Sequence, residues 1–367
     1  ADLRLDQRAS AERVLKFALG DTSELVRRIS STDRETHMPP PASKLILRAE
    51  DVSVLRRWVQ QGAPYQGHWA FQTPLQPSLP TVMQRQWPRN ELDYFVLRRI
   101  EAAGLSPSPE ARRERLIRRL SFDLTGLPPT NKEVAAFLSD RSDTAYEQLV
   151  ERLLNRQAFG ERMAVDWLDA ARYSDTYGYQ VDRDRFVWPW RDWVITAFND
   201  NLRYDQFIIW QLAGDLVAQA RDDQIQATTF NRLHPQKVEG GSVPEEFRTE
   251  YVADRNHTFA TVFLGLTLEC CRCHDHKYDP ITQREYYQLF AYFNNIDESG
   301  LYSYFTNSVP TPTMLLTDQD TKDRITANEK QIQQAGDQLL RVVENRRQEF
   351  SQWLGDRPKL PDVLPGQ

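Results

Sequence analysis

The run Cys270-Cys271-Arg272-Cys273-His274 is where the chain concentrates chemistry. Its pattern is C-x-x-C-H, the attachment signature of c-type haem. Two cysteines three apart can each add to a vinyl group of one porphyrin, and the histidine that follows can then ligate the iron. Cys270, Cys273 and His274 are therefore the expected haem-binding residues, with His274 proximal to the iron and Cys271 a small packed side chain. C-x-x-C also serves zinc sites and dithiol redox centres, and both remain open on spacing alone. Zinc would need further ligands; His276 could supply one, but the chain has only three cysteines. A thioredoxin-like dithiol needs a strand, helix and strand context, which the surrounding pattern lacks.

The elements that must position this run read as mainly α. Residues 1–66 form short helical pieces around the turn Met38-Pro39-Pro40-Pro41, with Val54, Leu55 and Trp58 on one face of a periodic stretch. Residues 67–90 carry Pro74, Pro77, Pro80 and Pro88 and few helix signals, so they read as a linker. Helical spacings dominate 91–316, for instance Tyr94, Leu97 and Ile100. Thr130 precedes Glu133 by three, the pattern of a reciprocal N-terminal cap. Aromatic density peaks between Trp167 and Trp210, as core filling or as packing for a porphyrin. In 317–367, Ile325, Ile332, Leu339 and Trp353 recur at multiples of seven and predict a helical arm or coiled coil, with Asn328, Arg346 and Glu349 interrupting its seam.

Composition narrows the functional classes. The 367 residues suffice for two or three domains, and an apolar fraction of 40% supports a core. A net charge of -6, from 46 basic and 52 acidic residues mixed along the length, gives no basic stripe, so nucleic acid is not an expected partner. No apolar run is long enough to predict a membrane span. The opening ADLRLDQRAS lacks signal-peptide character, which suits a cytosolic chain or a mature or cut product.

The segments RRLSFDLTGLPPT, WLDAARYSDTYGY, WRDWVITAFN, QLAGDL, EGGSVPEEFR and LGLTLECCRCHDHKYDPIT carry a specific resemblance over most of 90–300. The chain resembles the large planctomycete-type proteins in which a cytochrome c domain precedes an uncharacterised domain ending in C-x-x-C-H-D-H-K. LRLDQR, Met38-Pro39-Pro40 and LRRWVQQGAPYQGHWAF are similar to the second half of that family's cytochrome c domain. The resemblance implies that residues 1–66 are a partial cytochrome c-like module whose own C-x-x-C-H lay upstream, with Met38 as axial ligand of a second haem. It implies His234, in FNRLH, as the second axial ligand of the haem held by His274, with Met163 as rival. The chain departs from the family at Asn256 and His257, where valine and asparagine are usual, so His257 is set aside as a shared functional residue.

The expectation is a mainly α protein: a helical domain bearing covalent haem c, a small cytochrome c-like remnant and a C-terminal helical arm leading to a further region. Covalent haem is attached outside the bacterial cytoplasm, so the expected location is periplasmic or otherwise extracytoplasmic. Electron transfer with a redox partner protein is the expected function. The alternative is a haem-dependent oxidoreductase acting on a carbohydrate or other extracytoplasmic substrate near the carboxylate and arginine motifs, and a scaffold is a third reading. Asp169, Asp175, Asp182, Asp215, Glu239, Glu245, Glu246 and Asp254 fall in the matched motifs, and most are expected to cap helices or pair with Arg172, Arg191, Arg248 and Arg255.

Overall fold

Helix-forming spacings run through nearly the whole sequence, and the computed structural model turns them into fourteen α-helices among the residues it describes: 5, 8–15, 23–65, 69–302 and 309–356. No strand occurs among these residues; a single antiparallel bridge joins Thr176 and Asp184. The protein is mainly α, as expected. Contacts divide the chain into one unit of Ala1–Glu110 with His274–Thr282, and another of Ala111–Cys273 with Gln283–Gln367.

The first unit holds α1 (Arg8–Leu15), α2 (Glu24–Ile29), α3 (Ala49–Gln60) and α4 (Glu91–Ala102). The first three bury Ala11, Leu15, Leu25, Val26, Ile29 and Val59 in a small core against which Met38 and Trp58 pack. Ser23 caps α2 by accepting from Val26 N at 3.2 Å. The stretch ahead of α4 forms no α-helix because its prolines lack the backbone donor. What orders it is Glu101 of α4, a buried carboxylate that accepts from the backbone N–H of Met83 at 2.9 and 3.0 Å and of Gln84 at 3.0 Å.

The second unit contains α5 (Arg113–Thr125), α6 (Asn131–Ser139), α7 (Ala145–Leu154), α8 (Gln157–Ala170), α9 (Trp188–Asn199), α10 (Tyr204–Ala213), α11 (Asp222–Ala227), α12 (Pro244–Phe259), α13 (Gln283–Phe293) and α14 (Gln319–Gly355). Thr130 and Glu133 form the expected capping box at the start of α6. Ile117, Phe137, Leu149 and Leu153 unite α5, α6 and α7, and burying a side chain of this size contributes about 1.5–3 kcal/mol. The larger core lies among α8, α9, α10 and α11, where Trp190, Trp193, Val194, Phe207 and Phe230 are buried. The Trp190 indole donates to Ala227 O at 3.1 Å, so this tryptophan fills the core with its polar edge satisfied. Helices α8 and α9 meet closely because Gly160 has no side chain: a Cβ there would collide with the Ile195 carbonyl and Asn199.

Two departures from plain α-helix matter for the site. α12 runs on into a π-helical turn, Ala260–Leu264, closed by Gly265 at φ 64°. A 3₁₀ turn, Glu269–Arg272, then carries the first cysteines. By contrast α14 is 37 residues long and buries none of them. Its seam is open: Ile332, Leu339 and Trp353 are all exposed.

Candidate functional site

The cysteine turn is fastened from beneath. Leu268 and Cys271 are buried, Cys271 fully, and Cys271 N donates to Leu268 O at 2.9 Å. Arg272 reaches Glu250 of α12 with two hydrogen bonds, at 2.9 and 2.5 Å, and its carbonyl accepts from Tyr287 OH at 3.0 Å and Gln283 Nε2 at 3.2 Å, both on α13. The Arg272 bonds hold the Glu250 carboxyl below its ordinary range. With the middle cysteine inside and the carbonyl of Arg272 pinned, Cys270 and Cys273 are left exposed on the outer side.

His274 follows directly in the chain and is itself exposed. Its Nδ1 lies 2.8 Å from Asp275 O. A carbonyl can only accept, so Nδ1 donates and the neutral ring keeps its lone pair at Nε2, the arrangement in which metal-ligating imidazoles are commonly held. His276 is used differently: it is buried, and its Nδ1 accepts from the backbone N–H of Asp279 at 2.9 Å and Tyr278 at 3.3 Å. That ring shapes the loop after the motif. Among the described residues no three His, Cys, Asp or Glu side chains cluster as a metal-ion site. The donor set of two exposed thiols and an imidazole with a free Nε2 fits covalent haem.

His234 is at the centre of a buried polar cluster in the second unit, where it also forms part of the inner lining of a cleft shared with Glu269 and Arg272 of the cysteine turn. It is fully buried and stacks on Tyr251 with ring centroids 4.3 Å apart. Its Nδ1 lies 2.9 Å from Pro235 O and its Nε2 lies 2.9 Å from Arg255 Nη2. The carbonyl fixes Nδ1 as donor, so Nε2 accepts from the guanidinium. Burial, reinforced by the charge of Arg255, pushes the ring down to about 4 and keeps it neutral. Service as an iron ligand would require His234 to give up the Arg255 bond. Arg255 also binds Glu298, a carboxylate with 1% side-chain exposure, and Arg232 approaches that same carboxylate at 3.4 Å. Burial opposes ionisation of Glu298, but the contact with His234 at 3.3 Å and then the charge of Arg255 outweigh that and bring it down to about 2. The Tyr251 hydroxyl accepts from Lys237 N at 2.6 Å and donates to Gly300 O at 2.8 Å.

Met38 is half-buried against the small core of the first unit, its N–H donating to Arg28 O at 3.1 Å. Met163 is half-buried on α8. Of the motif carboxylates, Asp254 pairs with Arg172 and Glu245 with Arg248, the expected structural use.

A cleft of about 270 Å³ opens beside the cysteine turn, walled by Glu250, Asp254 and His257 of α12 with Glu269, Arg272 and Tyr286. The three α12 residues stand at i, i+4 and i+7, which puts them on one helix face. His257 Nδ1 is buried without a hydrogen-bond partner, and Nε2 lies 4.0 Å from Glu269 Oε1. Sequence reasoning discounted His257 as a departure from the family; its spacing from Glu250 and Asp254 was the signal that joins them.

Comparison with known proteins adds one match. The profile of the PSCyt2 family, described as a protein of unknown function (DUF1549), matches residues 91–298. No curated protein and no solved structure matches the chain.

Proposed function

The chain belongs to the PSCyt2 family of proteins of unknown function, and within it we propose that this protein is an extracytoplasmic c-type haem protein that transfers electrons to or from a redox partner protein. The observation that carries the reading is the division of labour in the turn: Cys271 is buried as an anchor while Cys270 and Cys273 are both exposed. Cys270 and Cys273 would hold haem c by thioether bonds, and His274 would ligate the iron through Nε2. When bound, the group supplies reversible one-electron chemistry between Fe(II) and Fe(III). The chain's own part is to keep the donors in place. Arg272, tied to Glu250, limits movement of the turn, and the Asp275 carbonyl fixes the His274 tautomer. By the resemblance, Met38 would serve a second haem.

The test is an optical spectrum of the protein purified from an extracytoplasmic compartment, oxidised and reduced, before and after extraction with acid and organic solvent. Haem bands that survive extraction are expected. A bound zinc ion, or both sulfurs free, overturns the proposal.

A second reading, a haem-dependent oxidoreductase acting on a carbohydrate or similar polar substrate, is favoured by the cleft beside the turn, whose carboxylates, arginine and imidazole suit hydroxyl groups. The iron's sixth position discriminates. A six-coordinate low-spin spectrum that ignores added cyanide supports electron transfer, whereas rapid cyanide binding to an open position supports substrate chemistry.

A further inference from the structure

A second cavity in the second unit, about 530 Å³ in volume, shares no lining residue with the cleft beside the cysteines. Its size is that of a small-molecule site. Phe186, Val187 and Ile225 form one apolar wall, and Met314, Leu315 and Leu316, from the stretch leading to α14, form the other.

Inside this apolar setting lies a cation without a counter-charge. Arg185 lines the cavity yet is only 5% exposed. Its Nη1 donates to the carbonyls of His234 at 3.0 Å and Leu233 at 3.3 Å, and among the described residues it forms no ion pair. Burial pulls Arg185 down to about 10, with the charge of Arg232 acting in the same direction, so it remains a cation at neutral pH. Arg232 also borders the cavity but is committed to Glu298 and to the carbonyls of Thr311 at 3.1 Å and Pro312 at 3.4 Å, through which it holds the second wall. Gln236 is 3% exposed and lines the cavity, and its side-chain amide has no hydrogen-bond partner among the described residues. The carboxylate in the lining, Asp215, is exposed.

A buried guanidinium lacking an anion is costly, and an anion that reaches it from water gains a charge-assisted bond in a medium of low dielectric constant. One uncommitted guanidinium fork matches a carboxylate, and Phe186, Val187, Ile225, Met314, Leu315 and Leu316 offer apolar surface to the rest of the molecule, with Thr228, Thr229 and Gln226 among the polar lining. We propose that this cavity binds a small organic acid, its carboxylate against Arg185 and the Gln236 amide and its apolar body against Phe186, Val187 and Leu315.

Calorimetric titration of the full chain with 4-phenylbutyrate, its neutral amide and inorganic phosphate tests this. The acid should bind one site, and the amide about tenfold or more weaker, as expected for losing a charge-assisted bond. Arg185→Gln should weaken the acid to the level of the amide. Leu315→Asp, at an exposed wall position that folding does not need, should weaken the acid by a similar factor and stays informative if the Arg185 variant fails to fold. Equal binding of acid and amide, phosphate binding as tightly as the acid, no binding at millimolar acid, or insensitivity to Leu315→Asp would each overturn the proposal.

Discussion

The Glu298 cluster and the cysteine turn lie in the same unit and use polar chemistry in opposite ways. In the cluster, His234, Arg255 and Glu298 are buried and bind one another, so the groups are spent on holding the fold together. In the turn, one cysteine is buried and two face outward, and the polar bonds are made by the residues around them. Groups that bind each other inside a protein are structural, and groups held rigidly outward are the ones free to bind something else. Stability should therefore respond steeply to change in the first region and weakly to change in the second.

The largest effect is expected from Glu298→Gln, which leaves Arg255 buried without its anion. Removing one partner of a buried pair costs about 3–5 kcal/mol, to be read from urea denaturation. A loss under about 1 kcal/mol would show that the cluster is not a stability element and erase the contrast.

Acid should attack the same cluster in two overlapping steps. His234 is held neutral at about 4, below its ordinary 6.5, so the stability this represents is intact above pH 6.5 and declines as pH falls toward 4. Glu298 is held at about 2 against an ordinary 4.5, so its contribution is intact above pH 4.5 and is lost as pH falls toward 2. Denaturation midpoints between pH 7 and 2 should show both steps, and Glu298→Gln should abolish the lower one. A flat profile from pH 7 to 4 would mean that His234 is not buried neutral.

Tyr251→Phe keeps the ring stacked on His234 but strands Lys237 N–H and Gly300 O, and should cost about 1–3 kcal/mol. The smallest effect belongs to the turn: in haem-free protein, His274→Ala and Cys273→Ser should each change stability by no more than about 0.5 kcal/mol, while the proposed haem attachment would lose its iron ligand and one thioether respectively. A loss of several kcal/mol in the haem-free variants would show that the turn is a structural element after all.

These two regions also differ in how far sequence alone discloses them. C-x-x-C-H is local, and so are the Thr130 and Glu133 cap and the periodicity behind α14, so each could be read from neighbouring residues. The Glu298 cluster is assembled from His234, Arg255 and Glu298, the last two 43 positions apart. Glu298 has no motif around it, and nothing in its neighbourhood distinguishes it from a surface carboxylate. His234 in FNRLH carries the residue type of a metal ligand, and only its burial between Tyr251 and Arg255 reveals what occupies both ring nitrogens. The same limit applied to Arg185, whose significance lies in what is missing around it. Of the tryptophans between 167 and 210, open to two readings in sequence, Trp190 and Trp193 are buried in the core, Trp167 and Trp210 pack against it and Trp188 is exposed.

The bare helix α14 makes the second unit a lever. At a rise of about 1.5 Å per residue, 37 residues extend about 55 Å, and near its root Lys322 forms a partly exposed ion pair with Asp222. Rotation of about ten degrees about that root would sweep the far end through about 10 Å, set by the helix length. A displacement too small to disturb the packing of the unit would thus be magnified into a large displacement of the far end of the helix.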